Sequence, residues 1–139
     1  MILIVAVDDN NGMMFNKRRQ SQDRVLRKHI LSLSSQSRLW INHYTEKQFA
    51  QDGIFAEHLN VDDAFLNEAA PGEYCFVEDV SVAQYEKWVE KIILFRWNRK
   101  YPGDFHFDID LSSGAWKLTS TEDFPGSSHE KITMEVYER

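Results

Sequence analysis

Six basic side chains crowd into residues 17–28, namely Lys17, Arg18, Arg19, Arg24, Arg27 and Lys28, with Asp23 the single acid among them. Guanidinium groups match phosphate and carboxylate as planar forks, so a cluster of this kind suits an anion. Asn16, Gln20 and Gln22 beside it would add neutral hydrogen bonds. The plain alternative is a solvated helix face and its approach, with Asp23 favoured near a helix start by the helix dipole. A second group, Trp40, Asn42, His43 and Tyr44, follows a short apolar run. It lies where a strand end would open on a ligand crevice of an α/β sheet. There His43 is either a general base or an exposed loop residue.

Other chemistries find no support. The five histidines and one cysteine show no zinc-site spacing, and the sequence contains no GxSxG, P-loop or GxGxxG pattern. Cys75, between Tyr74 and Phe76, reads as a small core residue. Formal net charge is −6, but residues 17–28 carry +5, so the remaining 127 residues sum to −11. A compact basic patch on an acidic body can meet a small anion locally while repelling nucleic acid at long range. No 18-residue apolar run suggests a membrane span, and the first residues lack the basic start of a signal peptide. The expectation is a single cytoplasmic domain over residues 1–139.

The elements that must position these side chains follow from periodicity. Residues 1–7 are apolar almost throughout and predict a strand buried on both faces. Residues 8–20 read as a loop with an Asn-Asn-Gly turn signal. Ser21 is the expected N-cap of a helix over 22–34, with Leu26, Ile30 and Leu33 inward and Arg24, Arg27 and Lys28 outward. A strand over 38–41 precedes a helix expected to be capped by Thr45, with Gln48 completing a capping box. A short strand is expected around 55–61, a helix over 62–70 and a strand over 74–77. A helix opened by a Ser81–Gln84 capping box is expected to run to Trp88. Strands over 92–97, 116–121 and 131–137 complete the chain, the last two as an antiparallel pair. Alternating strands and helices ending in a hairpin predict a three-layer α/β domain with a mixed, mostly parallel sheet.

Leu3-Ile4-Val5-Ala6-Val7 through Gly12, Leu39 to Phe49, and Tyr74 to Arg139 with Gly103-Asp104-Phe105-His106-Phe107 and Trp116-Lys117-Leu118-Thr119-Ser120 stand in an order that resembles the dihydrofolate reductase family. The resemblance implies that fold, puts Asp23 on the family's active-site acid, and matches Thr45 to a threonine of its cofactor-phosphate site. It also exposes departures. The mobile loop lacks the family's Leu-Pro-Trp stretch, Arg24 and Arg27 stand for apolar residues that hold the pterin, and Asn42-His43 replaces a Gly-Arg pair. A segment bearing the folate-tail arginine and a further cofactor-binding strand is missing, Phe105 replaces a threonine, and Glu78-Asp79 replaces a Gly-Gly pair. Carboxylates there are expected to cap the following helix and to repel a pyrophosphate, at about 4 kcal/mol per like-charge contact near a protein surface. No cofactor is therefore expected. The expected function is a small binding or regulatory module whose cleft takes an anionic small molecule, a nucleotide fragment or an acidic segment of a protein partner. Asn16, Arg18, Arg19, Gln20, Arg27, Trp40, Asn42, His43 and Thr45 would bind it, and Asp23 would orient it. The alternatives are a non-redox enzyme acting through Asp23 on a pterin- or nucleoside-like ring, a reductase with an unusual cofactor mode, and a nucleic-acid processing role.

Overall fold

The computed structural model describes residues 1–51, 53 and 56–139. Its elements in chain order are β1 (Ile2–Val7), β2 (Gly12–Phe15), β3 (Arg18–Arg19), α1 (Arg24–Leu33), β4 (Leu39–Ile41), α2 (His43–Ala50), β5 (Leu59–Val61), α3 (Phe65–Glu68), β6 (Tyr74–Phe76), a 3-10 helix (Ala83–Trp88), β7 (Lys91–Arg96), β8 (Phe105–His106), β9 (Lys117–Phe124) and β10 (Ile132–Glu138). Seven strands form one sheet in the order β5-β4-β6-β1-β7-β10-β9. The first five run parallel, and β10 runs antiparallel to both its neighbours, β7 and β9.

The apolar run of β1 holds the centre of this sheet, where both faces must be dry. Leu3, Ile4, Val5 and Val7 are completely buried. On one face Ile4, Ile41, Phe76 and Phe95 pack against Leu26 and Ile30 of α1 and Phe49 of α2. On the other, Leu3, Val5, Cys75 and Leu94 pack against Phe65, Val82 and Trp116. Sheet between two covering layers is the α/β arrangement that the pattern predicts. Cys75 is a core residue, and burial pushes its thiol up to about 12. Among the described residues no helix is long and apolar enough to cross a membrane.

Several local expectations need correction. Residues 8–20 are not merely a loop. Asn16 and Lys17 have φ of 51° and 62°, the paired positive values of a type I′ turn, and they join β2 to β3. With β8 these strands make a second, three-stranded sheet ordered β3-β2-β8. The helix expected over 62–70 shortens to Phe65–Glu68. Residues 83–88 form a 3-10 helix, and its capping box does not form, because Asp108 takes the Val82 and Ala83 N–H groups at 3.0 Å and pairs with Ser81. The strand expected around 55–61 is Leu59–Val61, and Phe55 lies outside the described residues. At the other border β9 runs on to Phe124, is exposed along almost its whole length, and bulges at Thr119, between the Ser120–Val136 and Leu118–Tyr137 pairs.

Candidate functional site

The N-terminus of α1 is built on Asp23, which replaces Ser21 as the cap. With φ −154° and ψ 129° it stands just outside the helix, and its Oδ1 accepts from the Val25 and Leu26 N–H groups at 2.9 and 3.2 Å. Ser21 is equally capable of capping, and the choice is made by a distant loop. There the N–H groups of Ser127 and Ser128 donate to Asp23 at 3.0 and 2.8 Å, their hydroxyls donate at 3.2 and 3.1 Å, and His129 Nδ1 lies 3.1 Å from Oδ2. Burial opposes the charge, but the backbone donors from Ser127 and Ser128, with His129 and Leu26, outweigh it and hold the carboxyl well below the usual carboxylate range. At neutral pH this acid has no proton to give. Gly126 makes the approach possible, since a Cβ there would lie 2.5 Å from Asp23 Oδ2. An ionised Asp23 accepts from His129 Nδ1, and His129 Nε2 lies 3.0 Å from Ser21 Oγ and 3.1 Å from Tyr101 Oη, two hydroxyls facing one nitrogen. Trp97 stacks on the imidazole at 4.5 Å between centroids.

A second centre lies at the C-terminal ends of β1 and β6, around Glu78. Arg19 donates to it through Nε at 2.8 Å and Nη2 at 3.2 Å, Thr45 Oγ1 at 2.8 Å and Gln48 Nε2 at 3.0 Å. These partners explain two corrected expectations. Asn42, not Thr45, caps α2, accepting from the Thr45 N–H at 3.0 Å. Thr45 and Gln48 point across to Glu78 instead of forming a capping box. Glu78 and Asp79 likewise do not cap the 3-10 helix, because Asp79 accepts from Asn42 Nδ2 at 2.8 Å. Arg19 also lies over the Tyr44 ring, 4.6 Å from its centroid. Burial works against its charge, yet the hydrogen bonds and field of Glu78 raise its pKa further. The space left between Ser21, Arg19, Gln48, Glu78 and Trp97 is about 10 Å³. That is room for one water at most.

The residues expected to form one anion cleft are therefore divided. Asn16, Arg18, Arg19 and Gln20 border an outer groove of about 320 Å³ with Phe15, Tyr101 and Pro102. Gln20 donates to Asp8 and to the Pro102 carbonyl, and its Oε1 is buried with no partner. Across the hairpin a second groove, of about 310 Å³, is bordered by Lys17, Tyr44, Asp79, Asp104 and Phe105. Arg27 is not on an outward face. It is 5% exposed, with Nη1 3.1 Å from Gln22 Oε1 and 3.5 Å from Gln48 Oε1. Trp40 donates to Glu73 at 3.0 Å, away from both centres, and His43 is exposed beside Asp63. His129, Ser127, Ser128 and Tyr101 were not singled out by sequence reasoning. Each stands in a polar or turn segment with no motif around it, and only the folded chain brings them to Asp23.

Sheet order, direction and the helices on both faces define an α/β protein of the dihydrofolate reductase fold. Among solved structures the chain is similar to the dihydrofolate reductase from Enterococcus faecalis complexed with NADP(H) and RAB-propyl, with a TM-score of 0.67 and 14% identity over 99% of this chain and 95% of that one. No family model matches the sequence. No curated protein matches it either. The Glu78 centre is a poor fit for a pyrophosphate on its own chemistry: it carries a carboxylate, and Arg19, Thr45 and Gln48 already donate to it.

Proposed function

We propose that this chain is a binding module on a dihydrofolate reductase fold, without reductase activity, and that it takes an anionic ligand in the outer groove beside the β2–β3 hairpin. One observation carries the reading: the Glu78 carboxylate satisfies the interior donors, so a free anion has to be met outside. In the groove Arg18 supplies charge, Phe15 and Tyr101 supply aromatic surface, and Asn16 supplies hydrogen bonds, while Gln20, committed to Asp8 and Pro102, only borders it. Phe15 is 47% exposed, which suits stacking on a planar base. A nucleotide fragment combines such a base with a phosphate for a guanidinium fork.

The test is calorimetric titration with AMP, GMP and pyrophosphate, followed by Arg18→Ala and Phe15→Ala. Saturable binding of a nucleotide, weakened about tenfold or more by either change, is the expected result. Absence of binding at millimolar ligand would refute the groove reading. Saturable micromolar binding of NADPH, or oxidation of NADPH by dihydrofolate followed at 340 nm, would refute the loss of reductase chemistry. A non-redox enzyme using Asp23 as proton donor is the less favoured reading, since the carboxylate is fully committed and held ionised.

A further inference from the structure

Asp23, His129 and Ser21 stand in one line of hydrogen bonds. Asp23 Oδ2 meets His129 Nδ1 at 3.1 Å, and His129 Nε2 meets Ser21 Oγ at 3.0 Å. Two of the three side chains are sealed from solvent, His129 at 3% and Asp23 at 0% exposure, while Ser21 is half-buried. An acid that orients an imidazole, which in turn faces a hydroxyl, is the arrangement that activates a serine, and it is recognised by geometry and role, not by chain order. The acid–imidazole part of the arrangement is supported. The Ser127 and Ser128 N–H groups keep the acid charged, Trp97 holds the ring plane, and Asp23 on Nδ1 leaves the Nε2 lone pair to Ser21 and Tyr101.

We propose that Ser21 is a nucleophile, with His129 as its general base and Asp23 as the positioning residue, acting on small carboxylic esters. In the first step Ser21 Oγ forms a bond to the carbonyl carbon and its proton passes to His129 Nε2. The bond from that carbon to the leaving oxygen then breaks, and Nε2 returns the proton to the departing alcohol. A water, deprotonated by the same nitrogen, attacks the acyl-serine, releases the acid and restores the hydroxyl. Arg19 and Gln48, which border the inner cavity, donate to Glu78 and so are not among the groups that act on the ester. The inner space of about 10 Å³ holds one water at most, so the ester reaches Ser21 from its outer side and only an unhindered one fits beside Gln20 and Tyr101. The leaving group faces outward, toward the groove bordered by Gln20 and Tyr101, the chain neighbour of Ser21 and the second hydroxyl on Nε2. This proposal is independent of what the groove binds.

The intact chain is treated with a fluorophosphonate and, separately, with p-nitrophenyl acetate, and modified peptides are identified by mass spectrometry. One adduct on Ser21 is expected, formed at a rate that rises with pH as a single imidazole loses its proton. Ser21→Ala should remove adduct and hydrolysis, His129→Gln should slow both about a hundredfold or more, and Tyr101→Phe should leave Ser21 reactive. Asp23→Asn should flatten the pH profile, a change that a merely structural contact would not produce. Where His129→Gln or Asp23→Asn does not fold, the adduct site and pH profile of the unsubstituted chain decide. An adduct on Tyr101, no adduct above that of urea-unfolded chain, or a pH-independent rate would each overturn the proposal.

Discussion

Replacing Glu78 by Gln keeps the volume of the side chain and removes its charge. In the folded chain that carboxylate accepts from Arg19, Thr45 and Gln48 and is 8% exposed. The amide can serve only part of this set. One of its oxygens becomes an NH2 that faces another donor, and Arg19 loses its bonded counter-charge and keeps only the weaker field of Asp79. Breaking a fully buried ion pair costs about 3–5 kcal/mol. Arg19 keeps 18% of its side-chain surface in water, which lowers the expected cost to about 2–3 kcal/mol. At about 2.1 cal/mol/K per residue, 139 residues carry an unfolding entropy near 0.3 kcal/mol/K, so Tm should fall by about 7–10 °C. Thermal denaturation followed by circular dichroism measures this, and the double-mutant cycle with Arg19→Gln isolates the pair, with an expected coupling of about 2 kcal/mol. A Tm change within about 2 °C, or a coupling below about 0.5 kcal/mol, would refute the idea that this network holds the interior shut.

Three further outcomes are expected. Asp23 is held below its ordinary value of 3.8 in the folded state, so the unfolded chain binds the extra proton; its stabilising contribution is present above about pH 4 and is lost as pH falls through the depressed folded value. Urea denaturation at pH 5 and pH 3 should therefore show a smaller loss for Asp23→Asn than for the unsubstituted chain. Gly126→Ala forces a methyl against Asp23 Oδ2 and Ile132 Cδ1, at 2.5 and 2.9 Å before any shift, and should cost about 1–3 kcal/mol in the same assay. Lys17→Gly relieves a positive φ of 62° in the hairpin turn and should stabilise the chain by about 0.5–1 kcal/mol, seen as a higher urea midpoint with unchanged slope.

The parts of the fold legible in the amino-acid sequence were those set by continuous apolar runs. β1 and β7 are buried strands whatever surrounds them, and the terminal antiparallel pair follows from alternation. Caps were harder to read, because Ser21 and Asp23 are both competent, as are Asn42 and Thr45, and contacts from Ser127, Ser128 and Glu78 select between them. Arg27 was read outward because helical periodicity assigns polar residues to solvent; Gln22, just before the helix, and Gln48 of α2 are among the partners it meets on turning inward. The hairpin over Gly12–Arg19 escaped notice because its turn is Asn-Lys, with a lysine where a glycine normally signals such a bend. Glu78 and Asp79 read in the sequence as helix-capping carboxylates that repel a pyrophosphate at a helix end. Folding instead makes Glu78 the guest of Arg19, which no local pattern reveals.

That internal guest is covalently tethered, and cutting the tether has a use. In Glu78→Ala the guanidinium of Arg19, the Thr45 hydroxyl and the Gln48 amide would surround a vacancy shaped for one carboxylate. Formate or acetate added to the buffer should then enter as a diffusible prosthesis and recover lost stability in proportion to the logarithm of its concentration. The same scaffold, so altered, becomes a starting point for an engineered sensor of small organic acids, with Trp97 at the rim as its reporter.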